Sequence, residues 1–145
     1  MERIRPLILV ADDDEDILEL VRLRLGRSYD TLVARDGAEA LALAQLHRPD
    51  VAVLDVTMPG LDGCDVTREL SGDPSTSSIQ VILLTAHAQA GDVAKGLAAG
   101  AYDYVTKPFS PELLQTRVAS ALKAAAPPAV PVPLAFSIRL PDARS

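Results

Sequence analysis

Cysteine occurs once in this chain, at Cys64, which excludes an intrachain disulfide framework and fits a reducing compartment. Basic residues are outnumbered, 14 Lys and Arg against 20 Asp and Glu, for a net charge of -6. That balance argues against a nucleic-acid surface, which needs clustered cations to neutralise phosphates, so no direct nucleic-acid partner is expected. Long apolar runs are also missing. The N-terminus, Met1-Glu2-Arg3-Ile4-Arg5-Pro6, has no signal-like apolar segment, and no later stretch approaches membrane-spanning length. A cytoplasmic protein with no membrane partner is the expectation. With 145 residues, 48% of them hydrophobic and 23% charged, the chain suits one domain with a real core plus a tail, and is too short for two ordinary domains.

What is present is organised around Val51-Ala52-Val53-Leu54-Asp55, followed by a turn carrying Pro59 and Gly60. The run reads as a buried strand ending in a carboxylate. In an open α/β sheet, chemistry collects outside the carboxyl ends of the strands, so Asp55 stands where a reactive group is expected. By itself it would be read as a loop cap. Other strands, however, end in the same way.

Leu7–Ala11 is a continuous apolar run that stops at Asp12-Asp13-Asp14-Glu15-Asp16. Ile17, Leu18, Leu20, Val21 and Leu25 then recur at helical spacing up to Gly26. Asp14, Glu15 and Asp16 are accounted for by the positive end of that helix. Asp12 and Asp13 directly adjoin the strand, where like charges repel unless a cation shares the site. Thr31–Ala34 predicts a second strand, and Asp36 can cap a helix over 37–46, which His47-Arg48-Pro49-Asp50 ends. After Asp55 come a short helix over 63–70, with Cys64 as a small packing residue, and a polar connection over 72–78. Val81–Leu84 is a fourth strand ending at Thr85, and a helix over 89–99 is closed by Gly100. Asp103–Thr106 is a weak fifth strand ending at Lys107-Pro108. Ser110, Pro111 and Glu112 open a last helix running to about Lys123.

Strands alternating with helices five times over predict a parallel sheet with helices on both faces and right-handed crossovers. Residues 124–133 carry four prolines, which places the domain at 1–124 and a Pro/Ala-rich linker or tail at 125–145. Within that tail, Leu134–Leu140 could form one extra strand or dock on a neighbour. There is no internal repeat.

The strand ends bring Asp12, Asp13, Asp55, Thr85 and Lys107 to one edge of one sheet. Three carboxylates in a crevice make a hard oxygen site suited to Mg²⁺, an ion that also bridges to phosphate oxygens. One carboxylate can then attack a phosphoryl group, with the Lys107 ammonium and the Thr85 hydroxyl pairing with phosphate oxygens. The expected chemistry is phosphoryl transfer to Asp55. Separately, Thr85 would be an ordinary strand-end hydroxyl and Lys107 a surface lysine. Tyr104 would be core, and His47 a helix-end residue.

Four blocks, Ile8–Asp14, Leu54–Gly63, Leu84–Ala86 and Gly100–Phe109, together resemble the receiver domain of two-component response regulators over about residues 6 to 124. The resemblance implies a flavodoxin-like, doubly wound α/β fold, with five parallel strands in the order 2-1-3-4-5 and five helices. It implies Asp55 as phospho-acceptor, and Mg²⁺ (Mn²⁺ being the alternative ion) held by Asp13, Asp55 and the backbone carbonyl of Thr57, with Asp12 acting through water. It further implies a cis Lys107-Pro108 peptide, and Thr85 with Tyr104 as a switch pair. Thr57 and His87 would line the mouth of the site and tune the lifetime of the acyl phosphate. The donor would be a phosphohistidine on a sensor histidine kinase or phosphotransfer protein. The output surface would be the face built from 89–99, 103–106 and 110–123, where many receivers dimerise or meet a partner, and where Lys95, Arg117 and Lys123 lessen the acidity. The domain would catalyse only its own phosphorylation and dephosphorylation.

Two rival readings share part of this pattern. A haloacid-dehalogenase-type phosphatase also has a nucleophilic aspartate after a strand, and Asp55-Val56-Thr57 distantly echoes its motif. There the nucleophile follows the first strand, which here carries the acidic pair. A pseudo-receiver that works without phosphorylation is disfavoured by the full set Asp12, Asp13, Asp55, Thr85 and Lys107.

Overall fold

The structure, a computed structural model, describes residues 5–86 and 90–125, the side chains of Ala90 and Asp92 excepted. Five strands alternate with five helices: β1 (Leu7–Ala11), α1 (Glu15–Leu25), β2 (Asp30–Ala34), α2 (Gly37–His47), β3 (Val51–Asp55), α3 (Gly63–Ser71), β4 (Gln80–Thr85), α4 (Ala90–Ala99), β5 (Asp103–Thr106) and α5 (Pro111–Ala125). All strand pairs are parallel, and the order is β2-β1-β3-β4-β5.

The strands read as unbroken apolar runs because both faces of the sheet are covered. Side chains alternate along each strand, so Ile8, Val10, Val51, Val53, Ile82, Leu84 and Val105 pack with Leu18, Val21 and Leu25 of α1 and with Leu114, Val118 and Ala121 of α5. Leu9, Ala11, Ala52, Leu54, Val81 and Leu83 face the opposite way, toward Ala40 and Ala44 of α2 and Cys64, Val66 and Leu70 of α3. Full burial of a side chain such as Leu54 stabilises the fold by about 1.5–3 kcal/mol. Cys64 is buried among these residues, as its reading as a packing residue requires.

Helix starts cluster where the strands end, and most are capped by an acid. The Asp14 side chain accepts from the Asp16 N–H, and that of Asp36 from Glu39 N–H at 2.8 Å. Asp62 and Asp65 form a reciprocal capping box, and Ser110 Oγ accepts from Leu113 N–H. Each such cap contributes about 1 kcal/mol. Asp14 explains why α1 opens at Glu15, ahead of its first apolar residue: two acids in the first turn complement the helix dipole. β2 and β4 each begin one residue earlier than expected, drawn in by Asp30 N–H to Pro6 O and Gln80 N–H to Asp50 O. The helix expected over 89–99 is described from Ala90, and α5 runs through Ala125. Residues 126–145 of the expected linker lie outside the described residues.

Two glycines set the approach of the helices to the site. A Cβ on Gly63 would lie 2.4 Å from the Asp55 carbonyl oxygen, and one on Gly37 would lie 2.0 Å from that of Leu61. Both contacts are with backbone, which cannot swing aside. Gly63→Ala is therefore expected to cost about 1–3 kcal/mol, to be measured as a lowered urea midpoint with the slope unchanged.

Candidate functional site

Asp12 follows β1, Asp55 ends β3, Thr85 ends β4 and Lys107 follows β5, so the parallel sheet brings all four to one edge. Asp12 is fully buried, Asp55 is 5% exposed and Thr85 is buried, whereas Asp13 is open to solvent. The Lys107 ammonium donates to Asp12 Oδ2 at 2.9 Å and to Asp55 Oδ2 at 3.2 Å. Its backbone N–H donates to Thr85 O, and the Lys107-Pro108 peptide is cis. The remaining carboxylate oxygens are also engaged. Asp12 Oδ1 accepts from Asp14 N–H at 2.9 Å, and Asp55 Oδ1 accepts from Thr57 N–H at 3.2 Å.

Burial pushes the Asp55 carboxyl up to about 6, and the neighbouring Asp12 charge pushes in the same direction, against the pull of Lys107 and the Thr57 amide. Lys107 is itself shifted upward: burial acts to lower it, but its hydrogen bonds and charge attraction to Asp12 and Asp55 outweigh that effect. One ammonium thus incompletely offsets two buried carboxylates. Asp12, Asp13 and Asp55 each offer a carboxylate oxygen within 4.8 Å of the others. This hard, anion-rich donor set fits a dication that keeps part of its water shell.

The chain matches the model of the response regulator receiver domain over residues 8–119. This chain belongs to the response regulator receiver family. The receiver is 42% identical over 124 residues to the DNA-binding response regulator MtrA of Mycolicibacterium smegmatis, covering 85% of this chain and 53% of that protein. It is 44% identical over 117 residues to the alkaline phosphatase synthesis transcriptional regulatory protein PhoP of Bacillus subtilis, covering 80% of this chain and 48% of PhoP. Among solved structures, the receiver domain of the Francisella response regulator 1452 superposes with a TM-score of 0.77 at 38% identity, over 83% of this chain and 99% of that one. The chain spans about half the length of the curated relatives it matches. Receivers are signalling domains that bind Mg²⁺ at an acidic pocket, and the sheet order 2-1-3-4-5 expected for the family is the one observed. The expected absence of direct nucleic-acid contact gains no support here, since MtrA is named as DNA-binding. Among the described residues, no helix is long and apolar enough to cross a membrane.

Tyr104 of the receiver is half-buried on β5, beside Leu83 of β4 in the register, and packs against the α2/α3 side of the core. Thr57 is exposed, with its N–H on Asp55; His87 lies outside the described residues. Two of the expected surface cations have acidic neighbours: Arg117 is 2.6 Å from Asp103, and Lys95 is 3.9 Å from Asp62. Sequence reasoning missed the Asp62/Asp65 box, although an acid three residues after a capping acid was a legible signal. It also missed Arg35 of the β2–α2 turn, which pairs with Glu15, a contact across 20 positions that no local pattern announces.

The raised Asp55 pKa has a definite sign. Its stabilising effect is full below the unfolded value of 3.8 and is lost as pH rises through about 6. In chelator at pH 8, Asp55→Asn is therefore expected to be more stable than wild type by about 1–3 kcal/mol, an advantage that fades between pH 6 and 4. Thermal melts of both proteins across this range test it.

Proposed function

We propose that this receiver accepts a phosphoryl group on Asp55 from a phosphohistidine of a sensor histidine kinase or phosphotransfer protein, in a Mg²⁺-dependent reaction. The observation that carries the reading is the Lys107 ammonium bonded to both Asp12 and Asp55, with Asp13 at the open side of the same cluster. Asp13, Asp55 and the Thr57 carbonyl are the proposed ligands of the ion, with Asp12 acting through water. When bound, the ion supplies positive charge for the phosphoryl oxygens.

In the reaction, an Asp55 carboxylate oxygen attacks phosphorus, the phosphorus–nitrogen bond to the donor imidazole breaks, and the imidazole keeps the electron pair and takes up a proton. Asp55 is prepared for this by the Thr57 N–H and the Lys107 ammonium, which hold its plane. The ammonium of Lys107, on its short tether to β4 through Thr85 O, is then available to a phosphoryl oxygen. Hydrolysis by water returns the carboxylate and releases phosphate, so the domain catalyses only its own phosphorylation and dephosphorylation, at a rate that Thr57 and His87 tune.

The new charge, about -1.5 to -2 with three strong acceptors, recruits the Thr85 hydroxyl, and Tyr104 turns inward as Thr85 moves. A coupling of about 1–3 kcal/mol is enough to shift populations between two surfaces without refolding. The surface so changed is α4, β5 and α5, which serves dimerisation or partner binding and in which Arg117 ties α5 to Asp103 of β5. The setting is the cytoplasm. The receiver unit is residues 1–124, with 125–145 as linker or tail.

Intact mass after incubation with acetyl phosphate and Mg²⁺ is expected to show one labile phosphoryl adduct, absent in Asp55→Asn and in chelator. Lys107→Ala is expected to slow its formation roughly 100-fold, while Thr85→Ala forms the adduct but loses the accompanying change in α4 and β5. A folded wild-type protein that takes no phosphoryl group from this donor or from any kinase tried would favour a partner-binding domain that works unphosphorylated.

A further inference from the structure

The outer edge of the sheet, at β2, carries a hydrogen-bonding pattern that is complementary to itself. β2 pairs with β1 alone, so this edge meets no strand among the described residues. Asp30 N–H donates to Pro6 O, and Ala34 O accepts from Asp12 N–H. Backbone groups alternate in direction along a strand, so Asp30, Leu32 and Ala34 turn theirs toward β1, and Thr31 and Val33 turn theirs outward. Just beyond these two residues the edge is closed off. Tyr29 N–H is taken by Leu25 O and Arg35 N–H by the Glu39 carboxylate, both at 2.9 Å. Thr31 and Val33 thus hold outward N–H and C=O groups that no described residue satisfies, on a strand with no proline or lysine to blunt it.

Apolar surface without cover lies beside this edge. Glu39 of α2 is level with Arg35, whose N–H it accepts, and the stripe Glu39, Leu43, Leu46 follows the β2 side of α2. From Glu39, Leu46 lies about 10 Å along α2 at ~1.5 Å per residue. From Arg35, Leu32 lies about 10 Å along β2 at ~3.3 Å per residue. Leu46 is therefore level with Leu32, on the face to which Leu32 points, and is 74% exposed. On the opposite face Glu15 pairs with Arg35, which sets the stripe Glu15, Glu19, Arg22 at the β2 side of α1, with Arg22 bonded to Glu19 at 2.8 Å.

We propose that this edge joins a second copy of the chain, β2 against β2 and antiparallel, with Thr31 of each copy opposite Val33 of the other. The outward groups select that register. Centred on Leu32, it bonds every outward N–H and C=O of Thr31 and Val33 to a counterpart on the second copy. Thr31 against Thr31 would leave Val33 facing Tyr29, and Val33 against Val33 would leave Thr31 facing Arg35, where the N–H groups are already used. Parallel pairing needs an offset between the strands that a two-fold axis cannot supply. The axis passes the Leu32 pair and gathers Leu46 and Leu43 of both copies on one face. On the other face it brings Arg22 of each copy to Glu19 of its mate. The Asp55 sites then point to opposite ends of one continuous sheet, and the α4, β5 and α5 face stays free at both outer edges.

Sedimentation of the full chain over rising concentration, with residue-resolved amide exchange, tests this. Wild type is expected to form a dimer in which the Thr31 and Val33 amides exchange about tenfold more slowly than in the monomer, with β5 unchanged. Thr31→Pro removes an outward donor and no bond to β1, and Leu46→Asp places a charge at an exposed position. Each is expected to weaken the dimer about tenfold. Leu46→Asp is expected to keep the monomer's urea midpoint, so it carries the test even where Thr31→Pro fails to fold. A chain that stays monomeric up to roughly 1 mM overturns the proposal, as does a dimer that Leu46→Asp leaves intact or that protects 103–106 in place of Thr31 and Val33. Protection of Thr31 and Val33 that is equal at all concentrations assigns the edge to another part of the same chain and likewise overturns it.

Discussion

The contact on which this molecule turns is the Lys107 ammonium lying between two buried carboxylates, at 2.9 Å from Asp12 and 3.2 Å from Asp55. Two anions removed from water beside one another repel strongly, and a single cation offsets them only in part. Burial first, and the Asp12 charge second, hold the Asp55 carboxyl at about 6 although an ammonium touches it. A site still short of positive charge, with a third carboxylate at its open side, is suited to a divalent ion. It is also suited to a reaction in which the carboxylate is consumed as a nucleophile.

The scaffold exists to hold that imbalance in place. Each group comes from the end of a different strand, and the strands are anchored by apolar side chains on both faces, so the carboxylates cannot simply move apart. Gly63 and Gly37 let the α3 and α2 starts approach backbone closely around the loop after Asp55. Acidic caps at Asp14, Asp36 and Asp62 complete helix starts at the same end of the sheet. The same pattern that stabilises the helices thus keeps the rim of the site negative.

The charged groups away from the site are more tied than the sequence implied. Arg117 is engaged by Asp103, Arg35 by Glu15, and Arg24 by Glu112 and Gln115. These exposed pairs add little stability one by one. They do link neighbouring elements, β5 to α5 and α1 to both the β2–α2 turn and α5, which is what a domain that signals through its surface requires.

Sequence alone determined whatever depends on near neighbours along the chain. The unbroken apolar runs marked strands buried on both faces, Asp36 and Ser110 marked helix starts, and the residues closing β1, β3, β4 and β5 marked the site. Register, burial and pairing had to wait for the tertiary structure. Lys107 and Asp12 are 95 positions apart, and their direct bond was not foreseen even though both residues were. The shift of Asp55 depends on how much water the surrounding layers exclude, which no window of sequence encodes. Propensity and capping act over a few residues, whereas desolvation and charge pairing are set by whichever distant segments the packed sheet brings together.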